Sequence, residues 1–281
     1  MQLDFVTKLG GSAITNKRCF ETLDVNRLNF AAEVLGKCHK SGLKFVVVHG
    51  AGSFGHHQAD QYGVNSGYGD ENVSKEHVMT GFCKTRLSVC KLNHEVVSAL
   101  VNCGVPAVSV SPCGTWTMNG GVLVTDGTEI VHQLINEGFV PCLHGDCVLN
   151  QSLGCKILSG DVIIQKLCEV FSPKHAIFFT DVAGVYTKSP GDVGAKLVPH
   201  ITTRHDGTIT TDLQMSTDRS CDVTGGIAFK LDCACNIVRH HNGRVKVMIC
   251  TGTAYHNVCI NGNFDGELGT VIECQEISEG S

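Results

Sequence analysis

With 281 residues, 42% hydrophobic and 17% charged side chains, the sequence can bury a large core, as one sizeable α/β domain or two closely joined lobes. A formal net charge of -5, with no Lys/Arg run and no interleaved aromatic stripe, argues against a nucleic-acid partner. The opening MQLDFVTKLG lacks a basic stretch followed by a long apolar one, and nothing approaches about 18 uninterrupted apolar residues, so neither a signal peptide nor a membrane span is expected.

Sixteen cysteines occur without paired spacing and without a C-x-x-C pair. They read as reduced thiols acting as small core hydrophobes, not as a disulfide framework or a structural zinc site.

In chain order, short β-rich runs alternate with helical patterns, which predicts a parallel sheet. A strand is expected over Leu3 to Leu9, a helix over Asp24 to Lys40 and a strand over Leu43 to His49. A long amphipathic helix follows, N-capped by Ser74 and carrying Val78, Phe82, Val89, Leu92, Val96 and Leu100. Strands are expected over Val105 to Val110 and Phe139 to Leu143, and between them Asp126-Gly127 reads as a type I′ hairpin turn. The turn NQSLG separates Cys147 to Asn150 from Lys156 to Leu158. The remainder reads as a helix from Asp161 to Phe171, a strand from Ala176 to Thr180, a helix from about Gly226 to His241 and a strand from Val245 to Cys250. Segments 186–196 and 202–220 read as surface loops.

The chemistry sits where glycines follow strands. Lys8-Leu9-Gly10-Gly11-Ser12 ends the first run, with Lys17 close behind; paired glycines let backbone N–H groups approach phosphate oxygens and the lysines add point charges. The next strand ends in His49, then Gly50-Ala51-Gly52-Ser53-Phe54-Gly55-His56. This spells G-x-G-x-x-G, but HHQADQ is too short for the helix of a dinucleotide fold, and Asp70 falls in a Gly-rich loop. A glycine loop exposing amides to a phosphate, with His56 at its rim, fits better. Ser159-Gly160-Asp161, Asp181-Val182-Ala183-Gly184 and Asp222-Val223-Thr224-Gly225-Gly226, the last followed by Lys230, repeat glycine beside charge. Five such loops after strands point to a phosphate-handling site. Neither a Walker A sequence nor a protein-kinase catalytic loop is present. No Asp or His stands as an obvious base for a hydroxyl nucleophile, which suits an acceptor that is already an anion, a carboxylate or a phosphate.

The order KLGGS-IT-K, HGAGSFGH, SGD, TDVAGVY and DVTGG followed by Lys230 resembles the isopentenyl phosphate kinases, a branch of the amino-acid kinase superfamily. That resemblance spans residues 8–230 and implies a three-layer α/β/α sandwich with a mainly parallel central sheet. It implies an acceptor-phosphate lobe over 1–165 and a nucleotide lobe over 166–281, with isopentenyl phosphate as acceptor and ATP as donor. Lys8, Lys17, His56, Asp161 and Lys230 would then be catalytic, with Asp161 organising the lysines; Gly50, Gly55, His56 and Gly145 would hold the acceptor. Lys8, Gly10, Gly11, Ser12, Ala51, Asp181, Gly184, Gly225 and Lys230 would contact ATP. Mg2+ would arrive with ATP, held by phosphates and water without a dedicated protein site. A cytosolic homodimer is expected by the same resemblance. Ala51 stands where many relatives have Gly, and Ala183 and Ile227 replace an acidic residue and a Met. Two other readings share the motifs: a kinase for a fosfomycin-type or carboxylate acceptor, and a noncatalytic sensor on the same fold.

Overall fold

A computed structural model describes residues 2–211 and 225–275. The chain forms two compact units, one of Lys8–Ile163 and one of Gln2–Thr7 with the described residues from Ile164 onward.

In the first unit, β1 (Phe5–Leu9), whose last two residues belong here, leads into the one-turn helix α1 (Gly11–Ile14) and then α2 (Val25–Lys40). Asp24 caps α2, its carboxylate accepting from the Arg27 N–H at 3.1 Å, and Leu28, Ala31, Ala32, Leu35 and Cys38 form the buried stripe. Next come β2 (Phe45–His49), a short 3-10 turn at Gly52–Phe54, α3 (His56–Gln61) and α4 (Lys75–Asn102). Ser74 caps α4 as the sequence predicts, 3.3 Å from the His77 N–H, and Val78, Val89, Leu92, Val96 and Leu100 are buried while Phe82 is half-buried. The strands β3 (Ala107–Val110), β4 (Thr117–Asn119) and β5 (Val122–Thr125) precede α5 (Thr128–Asn136), β6 (Val140–His144), β7 (Asp146–Asn150), β8 (Gly154–Leu158) and the start of α6 (Gly160–Phe171).

Here β2, β6 and β3 pair in parallel in that order, with His49 level with His144. A second sheet runs β5-β4-β7-β8. The hairpin expected at Asp126-Gly127 is absent. Asp126 instead accepts from the Thr128 N–H at 3.2 Å, and Gly127 is the N-cap residue of α5. The segment after it carries Val131 and Ile135 at a helical spacing and buries both, which outweighs the local turn signal.

The second unit holds β9 (His175–Phe179), β10 (His200–Thr203), β11 (Ile209–Thr211), α7 (Gly225–His240), β12 (Lys246–Cys250), α8 (Gly252–Asn261) and β13 (Gly269–Cys274). Strand order is β11-β10-β13-β12-β9; β12–β9 and β10–β13 are parallel, β12–β13 and β10–β11 antiparallel. Thr7 anchors the N-terminal segment to this unit, donating to the Ile177 carbonyl at 3.2 Å and meeting the Tyr255 hydroxyl at 3.1 Å. The expected loop over 202–220 is partly strand, at β10 and β11, and its residues 212–220 lie outside the described ones, as do Asp222 to Thr224.

Among the described residues every cysteine is a free thiol and ten of them are buried, in keeping with use as core hydrophobes. No helix among the described residues is long and apolar enough to cross a membrane.

Leu92 is fully buried at the middle of α4. Leu92→Ala should cost about 2–5 kcal/mol of stability through lost transfer energy and a residual cavity, read as a lower midpoint in urea unfolding.

Candidate active site

Two glycine loops at the ends of β1 and β2 touch backbone to backbone. A Cβ on Gly11 would lie 2.3 Å from the Gly52 nitrogen, one on Gly50 2.7 Å from the Gly11 nitrogen, and one on Gly52 2.6 Å from the Gly11 carbonyl oxygen. Gly52 also takes φ +52, a left-handed conformation that favours glycine. Thr15 clamps the two loops: its Oγ1 donates to the Gly11 carbonyl at 2.7 Å and accepts from the Ser53 N–H at 3.0 Å. Within this contact the N–H groups of Ala51 and Gly52 meet no acceptor among the described residues. Open backbone donors in a glycine loop suit an anionic ligand.

Charge is brought to the same place. Lys8 on β1 is 5% exposed, and its Nζ lies 2.7 Å from Oδ2 of Asp161 in the first turn of α6. Ser159 starts that helix, its Oγ accepting from the Asp161 N–H at 3.1 Å. Gly160 leaves room for the lysine, since a Cβ there would stand 3.0 Å from Lys8 Cε and 3.2 Å from the His49 carbonyl oxygen. Gly145, between β6 and β7, donates its N–H to that carbonyl at 2.9 Å.

The structure therefore brings together Lys8, Gly10, Gly11, Gly50, Ala51, Gly145 and Asp161, with Ser12 on the turn of α1. Gly55 has a packing reason as well: a Cβ there would press on Ala51 Cβ at 2.7 Å and on Val89 of α4 at 3.0 Å. His56 opens α3, exposed, with Nδ1 2.7 Å from the Gly52 carbonyl oxygen. A carbonyl only accepts, so Nδ1 carries the proton and Nε2 is the atom left for a ligand. His57, one residue on, lines instead a cavity of about 600 Å³ with Phe20, Tyr62, Leu87 and Lys91. Lys17 is exposed on the loop after α1.

In the second unit, Asp181 and Gly184 follow β9. A Cβ on Gly184 would sit 2.4 Å from Thr270 Oγ1, the hydroxyl that accepts from the Val185 N–H at 2.8 Å and donates to the Val198 carbonyl at 2.7 Å. Gly225 opens α7, and Lys230 on that helix is 9% exposed with its Nζ 5.4 Å from the centre of the Phe178 ring.

Sequence reasoning passed over the buried histidines beneath the glycine loops. His49 and His144 stack at 5.5 Å, and each places Nδ1 on the carbonyl of its own following glycine, at 3.0 Å to Gly50 and 3.1 Å to Gly145. The repeated His-Gly dipeptide at the ends of two strands was the available signal. Burial, then the neighbouring His144, pushes the His49 pKa down to about 3, and burial lowers that of His144, so both are neutral. At 3.9 Å the Asp146 carboxylate is beyond hydrogen-bond reach of His144. Asp146 binds Arg86 Nε at 3.1 Å and the Ser111 hydroxyl at 3.0 Å instead.

The amino acid kinase family model matches residues 5–251, and the chain belongs to the amino acid kinase family. An isopentenyl phosphate kinase of Arabidopsis thaliana is 39% identical over 82% of this chain and 72% of its own length. One of Methanothermobacter thermautotrophicus is 34% identical, covering 80% and 84%. A solved isopentenyl phosphate kinase structure superposes with a TM-score of 0.80 at 28% identity, covering 95% of this chain and 99% of that one. These matches set the chain among the isopentenyl phosphate kinases within that family.

Two outcomes test the geometry. Gly11→Ala drives a methyl into the Gly52 backbone, whereas Gly121→Ala enters open space. The first should lower stability by more than about 1 kcal/mol and weaken phosphate binding, and the second should stay within about 0.5 kcal/mol of wild type in thermal unfolding. Second, a histidine held neutral contributes stability that is present above its unfolded pKa of 6.5 and is lost as pH falls toward about 3. The unfolding midpoint should decline from about pH 6.5 downward, and His49→Asn should flatten that decline between about pH 6.5 and 5.

Proposed function

We infer that this chain transfers the terminal phosphoryl group of ATP to isopentenyl phosphate, forming isopentenyl diphosphate and ADP. The observation that carries the reading is the buried Lys8–Asp161 pair, set where two glycine loops leave the Ala51 and Gly52 N–H groups without acceptors among the described residues. The identity to isopentenyl phosphate kinases supports the choice of acceptor over a carboxylate or fosfomycin-type one. Joint retention of Lys8, Lys17, His56, Asp161 and Lys230 supports an enzyme over a noncatalytic sensor.

An oxygen of the acceptor phosphate forms the new P–O bond to the terminal phosphorus of ATP, and the bond to the bridging oxygen breaks, leaving ADP. A phosphate monoester has its second pKa near about 6, so at neutral pH no base is required. The work left to the protein is orientation and charge neutralisation. In this reading the Gly50–Gly55 loop and His56 hold the acceptor, with Gly145 bracing that loop through its N–H bond to the His49 carbonyl, and Lys8 and Lys17 stabilise the transferred group, with Asp161 orienting Lys8. Gly10, Gly11, Ser12, Asp181, Gly184, Gly225 and Lys230 hold the nucleotide, while Ala51, which the resemblance sets with the nucleotide, serves the acceptor through its open N–H. With Nδ1 committed to Gly52, His56 Nε2 donates to the phosphate as an imidazolium or accepts from a protonated phosphate oxygen. Mg2+, entering with ATP, supplies further neutralisation of phosphate charge.

We also propose a homodimer and a cytosolic setting. The exposed Leu87, Met79 and Val101 on α4 support a contact surface, and the free thiols support a reducing compartment. Gel filtration with light scattering tests the first.

Phosphorus NMR of purified protein with MgATP and isopentenyl phosphate should show diphosphate signals; phosphorylation of fosfomycin or an amino acid alone overturns the acceptor. Lys8→Ala should lower kcat by about 10² to 10³ while moving the acceptor KM less, and a near-wild-type kcat would remove Lys8 from the catalytic set. His56→Ala should cost about tenfold to several hundredfold in kcat/KM for isopentenyl phosphate with little change in ATP KM, while His57→Ala stays near wild type. The reverse pattern would overturn this placement of the acceptor.

A further inference from the structure

The buried residues under the acceptor loop form a directed chain of hydrogen bonds. His49 is fully buried and Asn93 is 3% exposed. Asn93 Nδ2 lies 3.0 Å from His49 Nε2, while His49 Nδ1 lies 3.0 Å from the Gly50 carbonyl. The carbonyl can only accept, which puts the ring proton on Nδ1; Nε2 is then the acceptor, and the Asn93 amide N–H is its donor. The amide orientation is set in turn, because Ser109 donates its hydroxyl to Asn93 Oδ1. Each link has one consistent polarity, running Ser109 to Asn93 to His49 to Gly50.

We propose that His49 is a positioning residue for the acceptor phosphate, its Nδ1–H fixing the Gly50–Ala51 peptide while Asn93 and Ser109 fix the tautomer that makes this bond. In a trans peptide the C=O and N–H point in opposite directions. Holding the Gly50 carbonyl on the imidazole therefore turns the Ala51 N–H away from it, and that N–H is one of the two left without an acceptor among the described residues. The Gly50 side of the loop has no side chain of its own to fix the peptide, and a wall of Gly11 backbone stands 2.7 Å from where one would begin. A leucine of similar size would fill the His49 site without the cost of burying an imidazole. His144 repeats the bond to Gly145 on the paired strand, and the Gly145 N–H binds the His49 carbonyl, so the two loops are held in one frame. The neutral state that burial imposes on His49 keeps the tautomer single.

The inference rests on the acceptor reading above, and two measurements separate their failures. Long-range proton–nitrogen NMR of the full chain, without substrate, should show His49 protonated at Nδ1 and bare at Nε2, unchanged between about pH 5 and 8. A proton on Nε2 would overturn the proposal. Kinetics then compares His49→Leu, which removes the donor, with His49→Asn, whose amide N–H can stand in for Nδ1–H. The leucine variant should raise the isopentenyl phosphate KM about three- to tenfold, with kcat and ATP KM within about twofold, and the asparagine variant should restore the KM to within about twofold. A wild-type KM in His49→Leu, or equal loss in both variants, overturns the role. If isopentenyl phosphate is no substrate, the acceptor reading falls by itself. Binding of inorganic phosphate and dimethylallyl phosphate then decides the matter: weaker binding in the leucine variant alone supports the role of His49, and equal binding in all three proteins removes it.

Discussion

The contact between the Gly10-Gly11 and Gly50-Ala51-Gly52 backbones is the constraint on which the site depends. Neither Gly11 nor Gly52 has room for a methyl group: at Gly11 the obstacle is backbone, which cannot rotate aside as a side chain can, and at Gly52 it is the Thr15 hydroxyl together with the Gly11 backbone. Because the loops are the ends of β1 and β2, their approach fixes where those strands deliver Lys8 and His49. Thr15 and Ser53 then bind across the seam, so the polar groups that close packing buries are satisfied from within it. What remains open are the Ala51 and Gly52 amides, which face no acceptor among the described residues. A seam of this kind leaves few ways to place side chains around an anion, and the protein uses main-chain N–H groups instead.

The Lys8–Asp161 pair belongs to a different energetic class. Removing two charges from water costs several kcal/mol per ion, and their attraction offsets this only with good geometry, so such a pair is weak evidence of stabilisation. The 2.7 Å contact, the Ser159 hydroxyl 3.4 Å from Oδ2 and the position of Asp161 in the first turn of α6 all hold the carboxylate in place. A buried cation held at the edge of open amide donors makes better sense as a preorganised charge than as a fastening. Its rigidity is useful because a lysine on a free stem would lose rotamer entropy each time it met a phosphate.

How much of this was legible depends on how local each signal is. Asp24 and Ser74 mark their helices because capping acts within one turn, and both do cap. The glycine motifs were legible for the same reason: a residue without a side chain after an apolar strand records a close approach even when the approaching partner is unknown. Asp126-Gly127 misled because the same dipeptide can end a strand in a hairpin or start a helix, and the helical burial of Val131 and Ile135 decided between them. In the second unit β10, β11, β13 and α8 went unread, being short or weakly amphipathic, with only Ala254, Tyr255, Val258 and Cys259 buried along α8. Asn93 and Ser109 could not be read at all. They meet His49 and each other across 44 and 16 residues, and only the pairing of β2, β6 and β3 with α4 behind them makes those residues neighbours.

The absence of a general base from the motifs becomes intelligible once the donors are counted by polarity. Among the described residues, the groups that the proposed acceptor site gathers from the first unit are the Ala51 and Gly52 amides and Lys8, which donate or carry positive charge, and His56, whose Nε2 takes either polarity. The Asp161 carboxylate beside them is engaged by Lys8 and by the Ser159 hydroxyl at the start of its own helix. A hydroxyl nucleophile would have to give its proton to a group such as His56 Nε2, whereas a phosphate dianion has none to lose. This predominance of donors thus favours an ionised acceptor before it selects the molecule. The buried histidines extend the same logic inward, since a neutral Nδ1–H on Gly50 orients an amide without adding a charge that would compete with Lys8 for the phosphate.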